Sequence, residues 1–278
     1  MDITTLKLYR RTFFEEAKLY EIIYNSAQYS TLYISTISLY SEGSLLFFFM
    51  ITGDMMQLLI FFAKHHNFNS KSNALYLLRV EMLNLINEGE QFEHDISKII
   101  GSASRYIQKI FITNKLKPNE NYYNSGTHNS YDDYEKLIIM VQENSYWNGI
   151  LYNKSSRLGF AFFCTNLFIA IIAIIVMAYL KIPIQFSLIK VVLCFISFAG
   201  IWESLEKYFK WRNASEKMLS IDDTISRSHL KDKKVAISVF TEYHIVLNYA
   251  SDIPNKIYKK HHDQLDKGWS VRLSIIKQ

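Results

Sequence analysis

The sequence predicts an all-α protein of the polytopic membrane class: two transmembrane helical hairpins joined to a helical cytosolic domain. Three observations carry this. Residues 160–180 pass without a formal charge, and after a break at Lys181, Ile182 and Pro183 the apolar character resumes over 184–202, interrupted by Lys190 alone. A bilayer core takes roughly 20 apolar helical residues to span, so two such runs around a proline-containing break predict a hairpin. The competing reading, a pair of buried helices in a large soluble protein, fits less well, because a soluble core helix rarely stays apolar on every face for this length. Second, glycine (9) and proline (3) are scarce in 278 residues, which removes most turn signals and favours long helices over an all-β fold. Third, a mean hydropathy near zero hides segregation, since apolar blocks alternate with charged ones.

Taken in order, residues 1–29 predict an amphipathic N-terminal helix. Leu6, Tyr9, Phe13, Ala17, Tyr20, Tyr24 and Ala27 recur at helical steps, with Arg10, Arg11, Glu15, Glu16 and Lys18 between them. The same stretch carries eight charged side chains and no early apolar core, which argues against a secretory signal. Residues 30–63 predict the first transmembrane hairpin, turning at Ser41, Glu42, Gly43 and Ser44. A single span over 44–63 is the alternative. Asp54 falls in mid-span, with Gln57 a turn away. A carboxylate there is costly unless it faces protein or water, which makes it a functional candidate; a shallow segment or a neutral, hydrogen-bonded acid is the plainer reading.

Residues 64–157 predict a cytosolic helical insert. One helix is expected over about 71–87 (Leu75, Leu78, Met82, Leu85, Ile86) and a second over about 96–110 (Ile96, Ile99, Ile100, Ala103, Ile107, Ile110). A loop follows over 117–130, and a third helix starts near Tyr131 and enters the membrane. Its 11 basic and 10 acidic residues nearly balance, so a uniform polyanion-binding face, and with it nucleic acid, is not expected. Residues 158–206 are the second hairpin, with Asn166 as its candidate intramembrane polar residue. Cys164 and Cys194 fall inside it, where they suit packing rather than a disulfide framework or a metal site. Residues 207–278 are the helical C-terminal region, with helices expected over 229–249 and 255–276. Trp202, Tyr208 and Trp211 are candidates for an interfacial aromatic belt.

Charge sets the topology. Of 31 basic residues, 4 lie in 1–29, 11 in 64–157 and 14 in 207–278. Two hairpins place all three blocks on one side, which the positive-inside rule makes the cytoplasm. The last block, with 14 basic against 8 acidic residues, suits anionic headgroups or a solvated face.

The chemical inventory is thin. No phosphate-binding loop, nucleophile elbow or zinc-type spacing occurs, so neither an enzyme nor a cofactor or metal site is expected. Adjacent histidines such as His65–His66 and His261–His262 point about 100° apart on a helix and cannot easily share a metal. The acidic cluster of Glu88, Glu90, Glu93 and Asp95 around His94 suits capping or interdomain contact better than catalysis.

Three stretches carry a resemblance: residues 73–89 (NALYLLRVEMLNLINEG), residues 142–148 (QENSYWN), and residues 242–247 (EYHIVL) followed by Ile253, Pro254, Tyr258, Asp266 and Trp269. Their order, with apolar pairs between them, resembles the bacterial SMODS-associated membrane effectors with two or four membrane helices. The resemblance implies an inner-membrane effector of anti-phage defence that oligomerises and permeabilises or depolarises the bilayer. Its partners would be the lipid bilayer, further copies of itself, and a cyclic-nucleotide signal or a defence protein. The chain shows no recognisable nucleotide-sensing module. The alternative function is a non-enzymatic membrane scaffold or sensor that recruits a cytosolic partner.

Overall fold

The structure, a computed structural model, describes residues 3–38, 41, 43–84, 92–112, 133–179, 188–227 and 232–276. Among them the protein is entirely helical: α1 Ile3–Ser38, α2 Gly43–Asn84, α3 Glu93–Gly101, α4 Arg105–Ile112, α5 Asp133–Tyr179, α6 Leu188–Arg227, α7 Lys233–Tyr249 and α8 Asn255–Ile276.

Several elements are longer than the sequence pattern predicts. The amphipathic helix of 1–29 and the first arm of the hairpin are one element, α1. No glycine or proline interrupts it, and its hydroxyls bond back to the preceding turn (Thr12 to Leu8 O at 2.8 Å, Thr31 to Ala27 O at 2.9 Å, Ser35 to Thr31 O at 2.9 Å). A Ser/Thr-rich stretch thus satisfies its own polar groups without leaving the helix. Likewise α2 runs through Lys64, where a boundary between membrane and insert was expected, because nothing after Gly53 breaks it. The turn at 41–44 lies between these helices: Ser41 N donates to Ser38 O at 3.1 Å, and α2 opens on Gly43 at φ +62°, a left-handed conformation that glycine adopts without steric cost.

The single helix expected over 96–110 is instead two. Gly101 ends α3, and the Ser104 hydroxyl accepts from Ile107 N at 3.2 Å, an N-cap that starts α4 afresh. The turn at 181–183, the bend at 88–90 and the loop at 117–130 lie outside the described residues.

The chain divides into two compact units. The first comprises Met1–Phe14, Ser72–Arg157 and Phe209–Gln278; the second comprises Glu15–Lys71 and Leu158–Tyr208. In the first unit, Leu75, Leu78 and Met82 of α2 pack with Ile138 and Val141 of α5, Met218 and Ile221 of α6, and Phe240, Tyr243 and Val246 of α7. A smaller core joins Leu6 and Phe13 of α1, Leu77 and Val80 of α2, and Ile96 and Ile107 of α3 and α4. Each buried side chain of this size contributes about 1.5–3 kcal/mol. The three stretches of the resemblance thus all contribute to this unit, two of them (Leu75 to Met82; Tyr243 to Leu247) to its main core.

Within the second unit, Tyr24 of α1 is buried under the ammonium groups of Lys207 (4.5 Å from the ring centroid) and Lys64 (5.6 Å). Lys64 pairs with Glu203 at 2.9 Å, and Lys207 donates to Asn25 at 2.8 Å. Elsewhere in this unit many large apolar side chains of the described residues are exposed. On α2, Phe47, Phe48, Ile51, Met55, Leu58, Leu59, Phe61 and Phe62 are all exposed, while Leu46, Ile60 and Ala63 face inward. On α5, Phe168 and Ile175 are 63% and 60% exposed, and on α1 Tyr33 is 69% exposed. Among the described residues, one helix, Gly43–Leu83, is long and apolar enough to cross a membrane.

Candidate functional site: the α5–α6–α8 polar junction

The residues singled out in the apolar segments do not assemble. Asp54 is exposed on α2, and Gln57 and Asn166 are half-buried on α2 and α5. No hydrogen bond or ion pair among the described residues joins the three. Trp202 is 63% exposed, and Tyr208 is half-buried with its ring 5.3 Å from that of Phe160. Trp211, expected beside them in an aromatic belt, is a core residue of the first unit instead. It is 6% exposed, and its indole N–H is shared between Ser251 O at 3.1 Å and Asp252 O at 3.2 Å. A membrane interface and a core carbonyl pair satisfy the same amphipathic ring, so composition does not separate them.

The other candidates also take structural places. His66 stacks on Tyr20 with ring centroids 5.0 Å apart, and His65 bonds Asn69 at 3.0 Å. Asp95 accepts from the Tyr76 hydroxyl at 2.9 Å, while Glu88 and Glu90 lie outside the described residues. Cys164 is exposed rather than packed, and the Cys194 side chain lies outside the described residues. Among the described residues no group of three or more His, Cys, Asp or Glu is placed to hold a metal ion.

Chemistry gathers elsewhere, in the first unit. Ile139 and Tyr146 of α5, seven residues apart, pack on Trp269 and Leu273 of α8. Glu143 lies between them in sequence on that stripe, and Asp266 and His262 continue the α8 stripe one and two turns back. Tyr146 lies against Trp269 (centroids 6.0 Å) and Trp147 meets the His262 ring edge-on (5.3 Å). His262 Nδ1 sits 3.1 Å from Asp266 Oδ2.

Beside this pair, Arg272 of α8 donates to Asp222 of α6 at 2.6 Å and to the Ser226 hydroxyl at 2.8 Å, with its guanidinium 5.3 Å from the Tyr146 ring centre. Gln142 of α5 donates to the same Ser226 hydroxyl at 3.0 Å. Arg272 is therefore committed to Asp222. Glu143 is 7% exposed, and its Oε2 is buried without a hydrogen-bond partner, as are Gln142 Oε1 and Trp147 Nε1. Burial, reinforced by the negative charge of Asp266, pushes the Glu143 carboxyl up to about 7.

A second buried titratable group lies on α7. His244 is 6% exposed, with its ring 4.6 Å from that of Phe240 and 5.4 Å from that of Tyr243. Its Nε2 has no partner. Burial, with a smaller contribution from Arg79, depresses it to about 3, so it is a neutral core ring.

Two glycines set the helix contacts. A Cβ on Gly268 would lie 2.7 Å from the Tyr146 hydroxyl, and one on Gly149 would lie 2.9 Å from Leu219 Cδ2. The Tyr146 ring is engaged by Trp269 and Arg272, which opposes its displacement, whereas Leu219 is 40% exposed and has room to move. Gly268→Ala is therefore expected to destabilise the full chain by about 1–3 kcal/mol. Gly149→Ala is expected to be neutral or slightly stabilising, since alanine gains about 1 kcal/mol of helix propensity. Thermal unfolding of both variants in detergent checks this, and equal losses would show that the two contacts are equally rigid.

The signal for this junction was present in the sequence as two stripes, 139/143/146 and 262/266/269/273, but nothing in a linear reading pairs one stripe with the other. Comparison with known proteins finds no matching family model, no matching curated protein and no matching solved structure.

Proposed function

We propose that this chain works in a bilayer, as an oligomerising effector that permeabilises or depolarises the bacterial inner membrane. The observation that carries the reading is the exposed apolar face of α2. Its eight large side chains present on the order of 800 Å² to solvent, more than a soluble monomer usually leaves open. A soluble core helix of this composition would be buried on most faces, and this one is not. Lipid and further copies of the chain are the partners that would cover it. The resemblance of residues 73–89, 142–148 and 242–269 to SMODS-associated effectors supports the same reading, with a cyclic-nucleotide signal or a defence protein as the activating partner. Helix α7 supports a second reading, a scaffold or sensor, because Ile237, Ile245 and Tyr249 leave an exposed apolar stripe of the kind a partner helix covers.

Induced expression of the full chain in bacteria, followed with a membrane-potential dye and carbonate extraction, separates the readings. The native chain is expected to resist extraction and to collapse the potential, and a Leu58→Arg, Phe62→Arg double variant to do neither. A carbonate-resistant chain in fully polarised cells would turn the assignment to the scaffold, and a carbonate-soluble native chain would end the membrane reading.

A further inference from the structure

Asp54 is the one formal charge between Leu45 and Ala63, and it falls at the midpoint of that run. It is exposed on α2, and among the described residues no hydrogen bond or ion pair reaches Asp54 or Gln57. Phe47, Ile51, Leu58 and Phe61 flank Asp54 on the helix surface, and all four are exposed. The five follow one another at steps of four, three, four and three residues. That average of 3.5 keeps one stripe of a helix against a single partner helix over several turns. The opposite side of α2 repeats every seven residues too, at Leu46, Gly53 and Ile60, but it is already buried. The outward stripe therefore has the spacing of a helix seam and no helix on it among the described residues.

We propose that α2 is the seam between copies of this chain, which pack side by side along the 47/51/54/58/61 stripe and enclose Asp54 away from lipid. This rests on the bilayer reading above and names the partner of that exposed face. Copies inserted in one direction lie parallel, so Asp54 of one stands level with Asp54 of the next. Gln57, one turn along, leans back toward that level, because helical side chains slope toward the N-terminus. Its amide N–H donates across the seam to the carboxylate of the next copy. Interhelical hydrogen bonds of this kind hold polar residues between membrane helices.

Charge and size both favour a second copy over lipid. A carboxylate facing hydrocarbon at mid-span has nothing to bond to and is costly there. On α5, Phe168 and Ile175 are just as open, but residues 160–180 hold no formal charge, so lipid covers them without leaving an ionisable group unmet. A second copy supplies what lipid does not, an amide at the depth of the carboxylate, because every copy carries Gln57 there. The exposed face of α2 is on the order of 800 Å², about what each partner gives to a stable interface of standard size.

Cross-linking of the full chain in bacterial membranes tests this, with single cysteines placed in a Cys164→Ser, Cys194→Ser background. A short, membrane-permeant bismaleimide is expected to give covalent dimers from Ile51→Cys and Leu58→Cys, and none from Phe168→Cys or Ile175→Cys. All four positions are exposed, so these substitutions leave the fold in place. In the Leu58→Cys chain, a further Asp54→Leu change is expected to lower the dimer yield about tenfold at limiting expression. Asp54→Asn, which keeps a hydrogen-bonding side chain, is expected to restore it. Equal cross-linking from α2 and α5, no dimer from α2, or a product of α2 with an unrelated protein in place of the dimer overturns the seam. So does a yield unchanged in Asp54→Leu. Dimers in fully polarised cells would leave the seam standing and remove the permeabilising effector, and depolarisation without dimers would do the reverse.

Discussion

Replacing Arg10 by alanine is expected to cost the folded chain about 3–5 kcal/mol, the range for removing one partner of a buried ion pair. Arg10 of α1 binds Glu81 of α2, with side chains only 12% and 6% exposed. Both belong to the first unit, beside the core that joins Leu6 and Phe13 to Leu77 and Val80. Without the guanidinium, Glu81 is left as a buried carboxylate with Lys7 as its other basic neighbour, a compact ammonium that cannot reproduce the fork of an arginine. The attraction within the pair is partly offset by the desolvation of both ions, so the pair and its absence should be closer in energy than either half alone. Arg10→Met combined with Glu81→Leu is accordingly expected to recover most of the loss. Thermal unfolding in detergent reads this as a Tm lower by about 10 °C for Arg10→Ala and near native for the double variant. A loss below about 1 kcal/mol for Arg10→Ala would mean that the pair is solvated in the folded chain.

The second large effect is a pH dependence. His244 titrates at about 3 in the folded chain against an ordinary 6.5, so the unfolded chain takes up a proton that the folded chain refuses. The stability contribution is present in full above pH 6.5 and is lost as pH falls toward about 3. A tenfold difference in proton affinity is about 1.4 kcal/mol, so the whole loss approaches about 5 kcal/mol. Glu143 runs the other way: its contribution, about 3 kcal/mol, is present below about pH 4.5 and is lost as pH rises to about 7. Between about pH 4.5 and 6.5 the two slopes oppose one another and nearly cancel. Each is expected to be uncovered by removing the other. Glu143→Gln should leave stability rising across that window, and His244→Phe should leave it falling. Denaturant titrations of the three chains at several pH values check this, and a His244→Phe chain with a native pH profile would remove His244 from the account.

These predictions involve residues that the linear pattern treats unevenly. Helix was legible throughout, because scarce glycine and proline and a 3.6-residue apolar period are local properties of the chain. The turn at 41–44 was legible for the same reason, through Gly43. Helix continuity was harder. Boundaries were expected near residues 30 and 64 because hydropathy changes there, but a change of solvent does not break backbone hydrogen bonds, and α1 and α2 run on. The reverse error occurred at 101–104, where apolar spacing continued across a glycine and a serine cap that divide α3 from α4.

The candidate site was the least legible part. Asp54, Gln57 and Asn166 attract notice because they are polar in apolar runs, which is a contrast along the chain. Glu143, Asp266 and Arg272 sit in ordinary amphipathic helices and carry no such contrast. Their character comes from what each meets: Arg272 is bonded to Asp222, and Glu143 is buried with one oxygen unpartnered. Trp211 shows the same limit, since a core tryptophan and an interfacial one have the same requirements.

The sequence alone therefore determined the helical class and the segregation of apolar from charged segments, because these follow from backbone propensity and from the period of side chains along one chain. Only the tertiary structure decided which stripe faces which, which ion pairs are buried, and which carboxylate lacks a partner. Burial and charge pairing are properties of side chains brought together from positions 50 to more than 120 residues apart, and no local pattern encodes them.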